Sequence, residues 1–105
     1  MYNWAKELNC AITVCDTEGK VIYQNDKSVK TNDNVMGKII FPCHKPESQK
    51  IIKDLIENKK SHSYTIFKKG EKKLIYQTPW YENGEIGGLV EFSIVIPEEM
   101  PHYIR

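Results

Sequence analysis

The sequence predicts an α+β fold, a five-stranded antiparallel sheet with helices on one face. Three observations lead there. Residues 71–96 hold two apolar, β-rich runs flanking Asn83-Gly84, a pair that tolerates the positive φ of a type I′ hairpin turn. An earlier pair of short runs is joined by Asp16-Thr17-Glu18-Gly19, a turn in which Gly19 is free to take positive φ. Between the two hairpins, Ile51, Ile52, Leu55 and Ile56 recur at i, i+1, i+4, i+5, the stripe of a helix lying on a sheet. Sequential strands mostly pair with their neighbours, so two strands, a helical crossing and a three-strand meander make one sheet.

The elements follow in order. Trp4, Ala5 and Leu8 lie at helical spacing, which predicts a short helix over residues 1–9. An exposed Trp on a terminal helix is costly to leave in water, so Trp4 and Leu8 are the candidate contacts of a homodimer. The alternative is that the helix packs on its own domain. Cys10–Cys15 and Lys20–Gln24 are the first two strands. Asn25 or Asp26 then caps a short helix over Lys27–Lys30, since either side chain accepts from free first-turn amides. Residues 31–45 are irregular, with turn formers Thr31 to Asn34 and then Val35, Met36, Ile39, Ile40 and Phe41 in no clean period. A short helical turn plus a strand-like piece is expected there.

Pro46–Asn58 is the long helix. Proline suits a first helical position, and Glu47 suits the positive end of the helix dipole. Ser63–Lys68 is the third strand. The last hairpin places Leu74, Tyr76, Thr78 and Trp80 on one face, with Val90, Phe92, Ile94 and Ile96 matching them, and this is expected to be the buried face. Gly87-Gly88 marks a bulge or a close backbone approach. Pro97 ends the strand, and residues 97–105 are a tail. Residues 1–105 are expected to be one domain with its core over 10–96.

Composition excludes several classes. Hydrophobic residues at 40% and charged residues at 28% are ordinary for a globular protein. A net charge of +1, with Arg105 the sole arginine, argues against nucleic acid, because arginine forks onto phosphates and guanine edges. No apolar stretch approaches the ~20 residues of a membrane span, and residues 1–10 lack the apolar core of a signal peptide. The cytoplasm is the expected location, and three cysteines fit reduced thiols better than a disulfide framework. Cys10 and Cys15, five apart, would face opposite sides of a strand and not share a metal. Neither a catalytic triad, a metal set nor a paired acid motif supports an enzyme.

These residues resemble a PAS domain over almost the whole chain. ITVCDTEGKVIYQN resembles the first PAS hairpin, with its Asp-x-x-Gly turn and an Asn opening the helical segment. YQTPWYENGEIGGLVEFSIVI resembles the last hairpin, and PCHKPESQKIIKDLIE resembles a subgroup with a Cys-His-x-Pro-x-Ser segment, found in small stand-alone bacterial PAS proteins and in larger regulators. The resemblance implies strand order 2-1-5-4-3 and a cavity between sheet and helices. It implies sensing of a small molecule, haem, flavin or redox state, or simple dimerisation. It also implies output through an effector protein in trans, since no effector segment follows Ile96. The short linker from Asn25 to Pro46 departs from larger PAS domains and suggests a small or filled cavity.

The expected ligand is small and apolar or aromatic, and the expected ligand-binding residues are Met36, Ile40, Phe41, His44, Ile52, Ile56, Tyr76, Val90 and Phe92, at the helix–sheet space. Tyr76 matters because a buried phenol must find a hydrogen-bond partner. The alternatives are a filled core serving as a pure interaction scaffold, or a haem sensor with His44 as axial ligand. One imidazole without a partner at ligand spacing is a weak metal signal. Cys43 and His44 are equally well explained by packing and capping. A flavin photoreceptor needs a reactive Cys in an Asn-Cys-Arg-Phe-Leu-Gln-like setting, and Phe41-Pro42-Cys43-His44-Lys45 does not match it. His62 and His102 are isolated and expect surface positions. The lysine pairs 59–60, 68–69 and 72–73 expect solvated turns and edges.

Overall fold

The structure is a computed structural model and describes residues 2–39 and 46–105. Five strands and two helices follow one another as β1 (Ala11–Asp16), β2 (Val21–Gln24), α1 (Asp26–Asn32), α2 (Pro46–Asn58), β3 (His62–Lys68), β4 (Glu71–Glu82) and β5 (Glu85–Ile96). The sheet order is β2-β1-β5-β4-β3, and every neighbouring pair is antiparallel. This is the expected α+β architecture and strand order, and α2 has the expected bounds.

Asn83 and Gly84 turn β4 into β5 with φ of 53° and 81°, as a type I′ turn requires. Gly87 and Gly88 do two different jobs. The register shifts opposite Trp80 and Tyr81, leaving Gly87 as the extra residue of a bulge. A Cβ on Gly87 would strike the Trp80 ring, whose Nε1–H donates to the Cys15 carbonyl at 3.0 Å. Gly88, at φ 147°, lies so close to β1 that a Cβ would collide with the Cys15 carbonyl oxygen. Glycine there lets the two central strands approach.

The two hairpin faces are the reverse of the expectation. Tyr76 pairs with Phe92, Thr78 with Val90 and Leu74 with Ile94, so the apolar sets do share one face. The buried positions, however, are Ile75, Gln77, Pro79 and Leu89 on the other face. Leu89 and Cys15 pack with Ile52, Leu55 and Ile56 of α2, with Ile86 at the margin. Tyr76 is 38% exposed and Gln77 only 5%. Strand alternation tells which side chains share a face but not which face the helix covers.

Asn25 is the N-cap of α1 and ties three segments together. Its Oδ1 accepts from the amides of Ser28 and Ile12, at 3.0 and 2.9 Å. Its Nδ2 donates to the carbonyls of Ala5 and Cys10, at 2.9 and 2.8 Å. The residue is 1% exposed. Ser28, also fully buried, meets the Thr13 hydroxyl at 2.5 Å. Gln24 organises the exit of α1 by accepting from the Val35 amide and donating to the Asp33 carbonyl. The linker then lies along β2, with Gly37 N–H donating to Val21 and an isolated bridge from Lys20 to Ile39. That bridge is the one strand-like contact of the linker among the described residues; Ile40 and Phe41 lie outside them.

The expected N-terminal helix is absent. Residues 4–7 are turns, with amide bonds from Lys6 to Asn3 and from Leu8 to Ala5. A helix of this length is marginal alone. Here the carbonyls that would propagate it are used elsewhere, Ala5 by Asn25 and Lys6 by the Asp26 amide.

Replacing Asn25 by Ala removes four bonds and strands buried backbone groups of three segments. Asn25→Ala should lose about 3–5 kcal/mol in urea unfolding. Asn25→Asp should also destabilise, because a carboxylate cannot donate to Ala5 and Cys10. A loss below about 1 kcal/mol would show that water replaces these bonds.

Candidate functional site

The sheet's inward face and the N-terminal half of α2 do not close on each other. Ser48, Ile51 and Ile52 stand at i, i+3, i+4 on one side of α2. His62 and Tyr64 stand two apart on β3, and Gln77 pairs with His62 across the β3–β4 ladder. Together they line a half-open cavity of about 270 Å³. Ile52 serves both the core and this wall, while Leu55 and Ile56, one turn on, bring α2 down onto Cys15 and Leu89. The second half of the helix is thus anchored on Leu89 of β5 and Cys15 of β1, and the space opens between its first half and β3 and β4.

The walls are more polar than an ordinary core. The His62 and Tyr64 rings lie 5.0 Å apart between centroids, tilted at 37°. Gln77 Nε2 donates to Glu91 Oε1 at 2.8 Å, across the β4–β5 pair. Tyr64 is 38% exposed, but partial desolvation of its phenol against the cavity wall pushes its pKa up, and the nearby Glu91 charge adds to this. Burial also raises the Cys15 thiol, with Asp16 and Glu91 contributing. Both groups therefore stay protonated and neutral at neutral pH.

Of the expected ligand-binding residues, Ile52 lines the cavity and Ile56 lies in the adjoining core. Tyr76, Val90 and Phe92 belong to the opposite face of the sheet, for the reason of parity given above. Tyr76 is not a buried phenol seeking a partner. Its hydroxyl meets those of Ser61 and Thr78 at the surface, which lowers its pKa. Met36 is exposed in the linker beside β2, at the far edge of the sheet from the cavity. Ile40, Phe41, Cys43 and His44 lie outside the described residues. Among the described residues no group of three or more His, Cys, Asp or Glu is placed to hold a metal ion.

Ser48, Ile51, Tyr64 and Gln77 were not among the expected ligand-binding residues, and His62, expected on the surface, is a half-buried wall residue. The signal that finds them is positional: alternate residues of β3 and the i, i+3, i+4 set opening α2. Trp4 is 70% exposed, whereas Leu8 edges a depression with Asp26, Lys27 and Lys30 at the start of α1. Lys68, Lys69 and Lys73 converge with Lys27 and Lys30 around another depression. No helix among the described residues is long and apolar enough to cross a membrane.

No protein-family model and no curated protein matches this sequence. Solved structures match its shape. The PAS domain of the histidine kinase ThkA superposes with a TM-score of 0.66 at 20% identity, over 83% of this chain and 99% of that one. The PAS domain of Bordetella pertussis BvgS does so with a TM-score of 0.66 at 23% identity, over 90% and 82%. This chain has the PAS fold. Vibrio cholerae VqmA, solved bound to DPO, matches with a TM-score of 0.69 at 19% identity over 89% of this chain. The present chain spans only 54% of that VqmA chain. In this PAS fold the cavity lies between the long helix and the two strands that end the sheet.

Burial of Cys15 has a chemical consequence. In a Cys10→Ala, Cys43→Ala background, iodoacetamide should label Cys15 only as fast as the chain unfolds, and quickly in urea. The folded state holds the Cys15 and Tyr64 protons more tightly than the unfolded chain does. Their contribution to stability is whole below the ordinary thiol value of 9.0 and falls as pH rises past it, then past the ordinary phenol value of 10.0. Cys15→Ala should flatten the first part of that fall in urea midpoints measured from pH 8 to 10. Rapid native-state labelling would contradict the burial.

Proposed function

We propose that this PAS-fold chain is a non-enzymatic sensory or regulatory module of signal transduction. A small molecule binds in the cavity between α2 and the β3–β4 edge, and the bound state is read by an effector protein in trans. The supporting observation is the half-open cavity of about 270 Å³ with polar groups converging on one wall. Ligand pockets run from roughly 300 to 1,000 Å³ and combine apolar walls with a few placed polar groups. At about 270 Å³ the cavity is just below that range, which suits a compact ligand. The similar shapes of a histidine-kinase PAS domain and of VqmA solved with DPO favour the same role. Among the described residues the lining holds no hydrogen-bonded nucleophile–base pair, so a binding role is favoured over catalysis. Reduced cysteines suit a cytoplasmic setting.

Protein purified from its host should carry a small molecule in native mass spectra. Ile51→Trp, which fills the cavity from an already exposed position, should lose it while unfolding at an unchanged urea midpoint. Wild-type protein with no bound mass would remove the ligand reading.

The outward face of the sheet favours a second, compatible role in dimerisation. Leu74, Tyr76, Val90, Phe92 and Ile94 form one apolar surface there, with Phe67 71% exposed beside them. Such a patch marks a protein contact, and a second copy of this chain, with Trp4 reaching across, is the simplest occupant. Sedimentation should show a dimer that Phe67→Glu shifts at least about tenfold towards monomer, an ordinary effect for a charge placed in an apolar interface. Monomeric wild type at 100 μM, on the order of a weak dimer's dissociation constant, would remove it.

A further inference from the structure

Gln77 is nearly fully buried, lines the cavity, and has its amide oriented by a neighbour. A carboxylate only accepts hydrogen bonds, so the contact of Nε2 with Glu91 Oε1 at 2.8 Å decides which end of the amide faces Glu91. The nitrogen is turned to β5, and the carbonyl oxygen is turned away from it. Tyr64, a neighbour on the same inward face, feels the Glu91 charge as well. None of the six described lining residues is a lysine or arginine. On the β4 side the described wall therefore presents the Gln77 carbonyl oxygen with the Glu91 charge behind it, while the Ser48 and Tyr64 hydroxyls can either donate or accept, at the edge of an isoleucine wall. An anionic group beside Gln77 would meet repulsion from Glu91, and a purely apolar one would give Gln77 Oε1 no donor.

We infer that this cavity selects a compact planar ligand that donates hydrogen bonds, of the amidine or amino-heteroaromatic class. Gln77 Oε1 is the contact, and Glu91 is the positioning residue that sets the selectivity. The inference rests on the ligand-binding role proposed above. The cavity has room for roughly nine water molecules at about 30 Å³ each, enough for one substituted six-membered ring. Ile51 and Ile52 supply the apolar wall for the ring, and His62 and Tyr64 the aromatic one.

Benzamidine, benzamide and benzoate share one shape and differ in donors and charge. Titrated into the full chain and followed by ligand-observed NMR at pH 7, benzamidine should bind at least about tenfold more tightly than benzoate, with benzamide between, since charge-assisted donors are favoured here. Glu91→Gln keeps an acceptor for Gln77 but removes the charge and lets the amide flip. It should bring the benzamidine-to-benzoate ratio close to one, whereas a merely structural role would weaken all three probes together. Benzoate binding as well as benzamidine, or a ratio unmoved in Glu91→Gln, overturns the inference and leaves the cavity a ligand site of other chemistry. Failure of all three probes overturns it too, and the native mass spectra of wild type and Ile51→Trp then decide separately whether the cavity is a ligand site at all.

Discussion

The register of the β4–β5 hairpin is the constraint from which the rest follows. A slip of one residue would exchange the two faces of the strands at the centre of the sheet. Asn83 and Gly84 close the turn, Gly87 is the extra residue of the bulge, and Gly88 lets β1 approach β5. With this register, Leu89 meets α2, Gln77 meets Glu91, and Tyr76 faces outward. The cavity, its polarity and the apolar outer surface are consequences of that one alignment.

Asn25 supplies the second constraint, at the opposite edge of the sheet. Its side chain satisfies backbone groups from the N-terminal turns, β1 and α1 at once. Buried backbone groups without partners cost about 1–3 kcal/mol each, so these segments are held mutually. This also explains why residues 4–7 are turns. Their carbonyls are engaged by Asn25 and Asp26 and are lost to a helical ladder.

The two faces of the sheet differ in chemistry. The inward face carries a wall of amide, phenol and imidazole beside an aliphatic anchor, an arrangement suited to holding a small polar molecule. The outward face carries aliphatic and aromatic side chains in half-exposed rows, suited to another protein surface. β5 joins them, because Glu91 points to one side and Phe92 to the other. Glu91 on the cavity side and Phe92 on the outward side are thus neighbours in sequence on opposite faces of the sheet.

Local signals were enough for the five strands, the two helices and their order, but not for residues 4–7, where the spacing predicted a helix and the structure has turns. The Asp16–Gly19 and Asn83-Gly84 turns, the Asn25 cap and the isoleucine stripe of Pro46–Asn58 each act within a few residues, so the chain alone determined them. Which residues share a strand face was equally legible, since side chains alternate along any strand. Which face the helix would cover was not. Both faces of the hairpin carry apolar residues, and the choice came from the packing of Leu89 and Cys15 on α2, residues distant in sequence. The cavity was decided in the same way: Ser48, His62 and Gln77 meet only because a helix and two strands converge, and no spacing along the chain records that distance.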